Sequence, residues 1–199
     1  PVTTRDGLKS PGDTRFDPFW ARVNEAGISV MYHSGDAGQN EYAQSWGEGG
    51  EFSAFEYRPL RSVMSLSNVR DAMAALICHG VFDRHPNLRI ATIESGCEWA
   101  FPLLKSLEKA YGQMPYGFKQ SPIEAFRKHV WISPYYEDDL ERLRDEIGAS
   151  HVLFGSDYPH AEGLAVPTDY IHDLEGYDDA EIRLVMRENT HALTRLRPA

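Results

Sequence analysis

Short apolar runs recur along the chain at 28–32, 89–93, 130–133 and 152–154, and each leads straight into a residue with reactive chemistry. The residues at those ends are His33, Glu94, Ser133 with Tyr135, and Asp157. Runs this short and β-branched read as buried strands, and helical patterns separate them. Asp17 and Pro18 open one such pattern, with Phe19, Trp20, Val23 and Ala26 inside it and Gly27 as its stop. Val69, Met73, Leu76 and Ile77 repeat at helical spacing over 67–79, and Leu103, Leu104 and Leu107 share a face over 99–111. A short helix at 122–128, a charged one at 137–147 ending at Gly148, and closing helices near 169–174 and 180–188 complete the alternation.

Strands alternating with helices predict an α/β fold built on a parallel sheet, in which loops leaving the carboxyl ends of the strands carry the site. Four such units amount to half of an eight-stranded barrel. The expectation is therefore a single partial barrel domain over 1–199, the C-terminal half (strands five to eight) of a (β/α)8 barrel. An isolated half barrel leaves unpaired sheet edges and a bare inner face. Three arrangements answer that: an N-terminal half outside this chain, a partner chain that supplies it as in an oligomer, or an open sheet. The segment 34–64 is rich in Gly, Ser, Glu and aromatics with little periodicity, and reads as a long loop serving as lid, binding loop or partner contact.

Charge and cysteine content narrow the function. Thirty acidic residues against 20 basic ones give a net charge of -10, and no Lys/Arg block supplies the footprint nucleic acid requires. Only Arg58, Arg61 and Arg70 approach a local basic patch, and Arg58 and Arg61 are candidate carboxylate binders in the long loop. No apolar run reaches the roughly 20 residues needed to cross a bilayer. The two cysteines, Cys78 and Cys97, form no metal hook and no disulfide framework, so a cytoplasmic setting is expected. Neither a Gly-x-Ser-x-Gly elbow nor a Gly-rich phosphate loop occurs. The expected partner is a small-molecule substrate.

The stretches FDPFWARVNEAG (16–27), MYHSG (31–35), IESGCEW (93–99) and LFGSDYPHAEG (153–163) together resemble the amidohydrolase-related family, whose members include aminocarboxymuconate-semialdehyde decarboxylase and related aromatic-acid decarboxylases. The resemblance implies a (β/α)8 barrel with a divalent metal, usually zinc, held by a His-x-His pair on the first strand, a His on the fifth and an Asp on the eighth. It assigns His33 to the fifth strand and Asp157 to the eighth, both as metal ligands. No His-x-His occurs in the chain, so it offers two of the implied ligands, and Glu94 stands where the decarboxylases carry a His on the sixth strand.

These residues suit the chemistry. A buried carboxylate such as Asp157 requires a cation or donors to offset its desolvation, and it can also shuttle a proton as the catalytic acid/base. Glu94 is the alternative base, or a carboxylate at the start of the following helix. His160, three residues past Asp157, can bind substrate or orient Asp157. The other histidines, His79, His85, His129, His151, His172 and His191, fall on helices or before strands and are assigned to packing or surface. Trp46, Trp99 and Trp131 are either pocket walls or core. The expected activity is metal-dependent hydrolysis or decarboxylation of a small organic acid or lactone. The competing reading is a catalytically incomplete half-barrel acting as a partner or scaffold subunit.

Overall fold

A computed structural model describes residues 2–33, 40–48, 59–64, 67–161 and 163–195. The chain opens with an antiparallel hairpin of β1 (Val2–Thr4) and β2 (Gly7–Lys9), turned through Arg5 and Asp6. This hairpin was not expected from the polar opening of the sequence; its signal is Asp6-Gly7, with Gly7 at a left-handed φ of 89° that a side chain would resist. Then α1 (Asp17–Ala26), with Pro18 in its first turn, ends at left-handed Gly27 and feeds β3 (Ser29–His33).

The segment expected as a loop carries two six-residue helices, α2 (Asn40–Ser45) and α3 (Pro59–Met64). Helices of fewer than two turns are too short for a 3.6-residue period to declare itself, which is why the sequence reads as irregular there. Arg61 lies on α3, whereas Arg58 falls outside the described residues. Next come α4 (Ser67–Cys78), the short α5 (Val81–Arg84), β4 (Arg89–Ile93) and α6 (Ala100–Gln113). The unit α7 (Pro122–His129), capped by Ser121, leads into β5 (Val130–Ile132).

The charged helix α8 (Leu140–Ile147) starts three residues later than the expected 137, because the Asp139 side chain accepts the Arg142 amide and makes Asp139 the cap. The expected strand at 152–154 is reduced to one parallel bridge, Ile132 to Val152, with the Leu153 amide donating to the Ile132 carbonyl at 2.7 Å. The closing helix expected near 169–174 is a 3-10 helix over Pro167–Asp173. The last helical stretch is α9 (Asp179–Arg183), a π turn over Leu184–Glu188, and α10 (Asn189–Thr194).

The sheet runs β3-β4-β5 in parallel register, Ser29 beside Arg89 and Ile90 beside Val130, and the Val152 segment continues it. Sequence order and spatial order coincide, so every crossover steps to the next neighbour. One face, bearing Val30, Tyr32, Ile90, Val130 and Ile132, packs under helices through Trp20, Met73, Leu76, Phe101, Leu104 and Phe126. Each fully buried aliphatic side chain in that layer contributes about 2 kcal/mol. The opposite face is thinner. Ala91 and Leu153 meet Leu193 of α10, with Ile93 and Trp131 partly covered, while Met31 on edge strand β3 is exposed.

Two polar clasps hold this layout. Arg89, buried at the start of β4, donates to the carbonyls of Gly27, Ala192 (3.0 Å) and Arg195 (3.1 Å), fastening α10 across the amino end of the sheet. Asn189, also buried, gives both amide hydrogens to the carbonyls of Ala149 and Val152, each at 2.7 Å. Among the described residues no helix is long and apolar enough to cross a membrane.

Candidate metal centre

Every reactive residue read at a strand end lies at the carboxyl edge of the sheet. His33 is the last residue of β3, Glu94 follows β4 directly, and Asp157 lies five positions past the Val152 bridge. Glu94 and Asp157 share a rarer property: with φ of 50° and 53° they are the non-glycine residues in the left-handed region among those described. A side chain there costs on the order of 1–2 kcal/mol. Such a conformation persists where the surroundings over-determine it, and the local packing does so here.

Asp157 is held by a tight loop. The His160 amide donates to the Asp157 carbonyl at 2.9 Å, the Gly163 amide to the His160 carbonyl at 3.0 Å, and the Leu164 amide to the Ser156 carbonyl at 2.8 Å. Gly163 lies so close that a Cβ on it would sit 2.4 Å from the Asp157 carbonyl oxygen. The loop thereby folds back and carries the His160 imidazole over Asp157. On the other side, Gly155 packs against Pro134, and the Ser133 hydroxyl donates to the Phe154 carbonyl at 3.2 Å. Ser133 therefore serves the joint between neighbouring strands.

Glu94 is held by a different device. After it the chain turns at Gly96 (φ 60°), and the Cys97 amide donates to Asp138 Oδ2 at 2.7 Å. The Tyr135 amide donates to the same oxygen at 3.0 Å, so one carboxylate ties the loop after β4 to the loop after β5. Burial pushes the Asp138 carboxyl above its ordinary range, against the pull of those two amides and the Cys97 thiol. The Cys97 thiol is itself pushed up, by burial first and by Asp138 second. Asp138 was missed in the sequence because it reads as part of a helix starting at 137; the signal available was the acidic pair Asp138-Asp139 ahead of Leu140, a capping pattern.

The result is a compact group of donors. His33 Nε2 lies 3.3 Å from Glu94 Oε2, His160 Nδ1 lies 3.8 Å from that same oxygen, and His160 Nδ1 lies 3.3 Å from Asp157 Oδ1. The ligand atoms of Glu94, Asp157 and His160 all fall within 4.8 Å of one another. Donors sharing one ion at ~2.1 Å stand roughly 3.0–3.4 Å apart, so Glu94, Asp157 and His160 are near enough to close on a common divalent cation by side-chain movement. Exposure is graded: Asp157 is 7% exposed, Glu94 28%, His160 51% and His33 58%. Asp157, one of the two residues expected as ligands, thus groups with Glu94 and His160, whereas His33, the other, lies against Glu94 and outside that three-residue group.

The residues set aside in the sequence fall elsewhere. His129 is buried at the amino end of β5, stacked on Phe82 at 4.4 Å, with Nδ1 donating to the Leu88 carbonyl. His85 contacts Asp17, His79 contacts Ser10, and His151 packs on Trp131. Trp99 is core and donates to the Gly96 carbonyl, Trp131 donates to the Ser150 carbonyl, and Trp46 is exposed.

Comparison with known proteins identifies the family. A family model described as Amidohydrolase matches residues 2–196. The crystal structure of an amidohydrolase from Mycobacterium avium subsp. paratuberculosis is 41% identical with a TM-score of 0.89, over 99% of this chain and 49% of that one. 5-Carboxyvanillate decarboxylase from Sphingomonas paucimobilis is similar in fold at 19% identity and TM-score 0.70, over 98% of this chain and 56% of that one. A dihydroxybenzoic acid decarboxylase from Polaromonas, solved with bound manganese and the inhibitor 2-nitroresorcinol, gives 16% and 0.66, over 96% and 56%. The chain spans about half the length of these solved structures.

Proposed function

This chain belongs to the amidohydrolase family, and we propose that it carries the catalytic rim of a metal-dependent enzyme that hydrolyses or decarboxylates a small organic acid or lactone. The observation that supports this reading is the meeting of His33, Glu94, Asp157 and His160 at the carboxyl ends of parallel strands, with both carboxylates on left-handed backbone. In this reading the four parallel segments are strands five to eight of a (β/α)8 barrel. The stepwise strand order and the half-length match to the solved structures favour it, and the thin face of Ala91, Ile93, Trp131 and Leu153 becomes barrel interior.

His33 and Asp157 hold the divalent cation. When bound, such an ion lowers the pKa of a coordinated water toward ~7 or polarises a substrate carbonyl. The chain's own residues handle the proton. Asp157 is nearly sealed from solvent, whereas His160, half exposed and 3.3 Å away, faces water on one side and Asp157 on the other. That placement makes Asp157 the acid/base and His160 its relay, with Glu94 at hand as the alternative base. The metal of the Polaromonas relative is manganese, and zinc is the metal the family pattern implies for His33 and Asp157.

The test is metal content by mass spectrometry of the purified protein, then of His33→Ala and Asp157→Asn. About one ion per chain is expected in the wild type and less than a tenth of that in either variant; equal metal in all three would refute the assignment. A second reading, the partner or scaffold subunit, is favoured by the lack of any His-x-His in the sequence. It predicts no metal in the wild type.

A further inference from the structure

The turn that leaves α6 carries an aromatic side chain with nothing packed around it. We propose that Tyr116 is the prong of an interface between two copies of this chain, and that it enters a socket on the partner copy formed where α4, α5 and α7 meet. This interface stands apart from the metal-centre reading.

The prong is a 3-10 helix over Pro115–Gly117, with Tyr116 at its middle fully exposed and Met114 beside it more than half exposed. Its backbone is stiff. The Met114 amide donates to the Ala110 carbonyl at 2.8 Å and the Gly117 amide to the Met114 carbonyl at 2.9 Å, while Pro115 fixes its own φ. Tyr111 and Phe118 brace the base, edge to face with ring centroids 5.7 Å apart. A phenol on rigid backbone has few torsions left to lose on docking, which is why tyrosine recurs as an anchor of protein contacts.

The socket is a cavity of about 170 Å³ beside this turn, floored by Ile77, Phe82, Phe118 and Pro122, with exposed Cys78 in its wall. A cavity of about 150 Å³ accepts a benzene ring, so one phenol group suits it in size. Its chemistry suits the hydroxyl as well. Asp83 Oδ1 accepts the Gln120 side-chain amide at 2.8 Å, and Asp83 Oδ2 has no hydrogen-bond partner among the described residues. A phenol whose ring lies on Phe82 and Phe118 has its O–H donor to give to that carboxylate.

The placement of the two features selects a second copy as the occupant. Gly117 and Phe118, the residues after Tyr116, line the socket, so prong and socket adjoin on one surface. Adjoining complementary features meet their counterparts across a twofold axis, each copy giving a prong and receiving one, and the contact closes as a dimer. The surface belongs to the crossover between β4 and β5, the inner strands of the sheet. It therefore lies away from the open edges at β3 and the Val152 segment.

The experiment is sedimentation velocity of the purified chain over roughly a hundredfold range of concentration, repeated with Tyr116→Ala, Tyr116→Phe and Cys78→Phe, the last narrowing the socket. Thermal melts establish that each variant folds; Tyr116, being fully exposed, should leave the melting temperature unchanged when replaced. A monomer–dimer equilibrium is expected for the wild type. Tyr116→Ala and Cys78→Phe should each weaken it at least about tenfold, with Tyr116→Phe, which keeps the ring and loses the hydroxyl, in between. Mixing Tyr116→Ala with Cys78→Phe pairs an intact socket with an intact prong, and should yield more dimer than either variant alone. A wild-type chain that stays monomeric overturns the proposal. So does a dimer that Tyr116→Ala and Cys78→Phe leave unchanged, which would place the contact at the open sheet edges, or a mixture that associates no better than its parts.

Discussion

Replacing Asn189 by Ala should cost about 2–3 kcal/mol of folding free energy, although the residue lies far from the metal rim in sequence. Its amide donates both hydrogens at 2.7 Å to the carbonyls of Ala149 and Val152, in a place where Asn189 is 5% and Val152 0% exposed. Each hydrogen bond contributes about 1 kcal/mol net, and a buried acceptor left without a donor costs about 1–3 kcal/mol. Part of that penalty is recovered by relaxation, which gives the stated total. With a urea dependence of about 2–3 kcal/mol/M for a chain of this size, the midpoint should fall by about 1 M. Asn189→Asp should be worse, since a carboxylate oxygen would face two carbonyls. Val152 is where the fourth segment joins the sheet and sets the approach to Asp157, so bound metal should drop along with stability. A loss under about 0.5 kcal/mol in Asn189→Ala, with Asn189→Asp no worse, would refute this account of the clasp.

Gly163→Ala forces a Cβ to 2.4 Å from the Asp157 carbonyl oxygen, and backbone must move; metal content by mass spectrometry should fall to less than half of the wild type, with the melting temperature changed by only a few degrees. Asp138 holds its proton more tightly folded than unfolded, because burial raises its pKa. Its contribution to stability therefore falls as pH rises from the unfolded value near 3.8 through the raised folded value, and stays lost above it. Asp138→Asn should remove that slope and equal or exceed the wild type in urea stability at neutral pH, the advantage shrinking toward pH 4. Of the two thiols, exposed Cys78 should react with a disulfide reagent in the native protein, whereas Cys97, buried and bonded to Asp138, should react only after denaturation; two fast-reacting thiols in the native state would contradict the burial.

The sequence carried the strands of the sheet because β3, β4 and β5 are apolar runs with a reactive residue at the end, and that coincidence survives without any knowledge of contacts. His33, Glu94, Asp157 and His160 were all readable as candidates. Their convergence was not: the approach of Glu94 to both imidazoles depends on left-handed backbone at Glu94 and Asp157, which residue type disfavours and no pattern announces. Asp138 was hidden for a related reason. Its work is done through two backbone amides of distant loops, and amides leave no mark in a sequence. The short helices α2 and α3 fell below the length at which periodicity speaks. The hairpin at the start rests on a two-residue turn inside a polar stretch.

The left-handed backbone at Glu94 and Asp157 has an evolutionary corollary. At both positions glycine or asparagine relaxes the main chain, so changes that disable the rim tend to make the polypeptide sturdier rather than weaker. Descendants freed from the need to bind an ion would shed these two acids early. A library screened for heat resistance alone, with no metal in the selection, should lose Glu94 and Asp157 sooner than it loses the core beneath them.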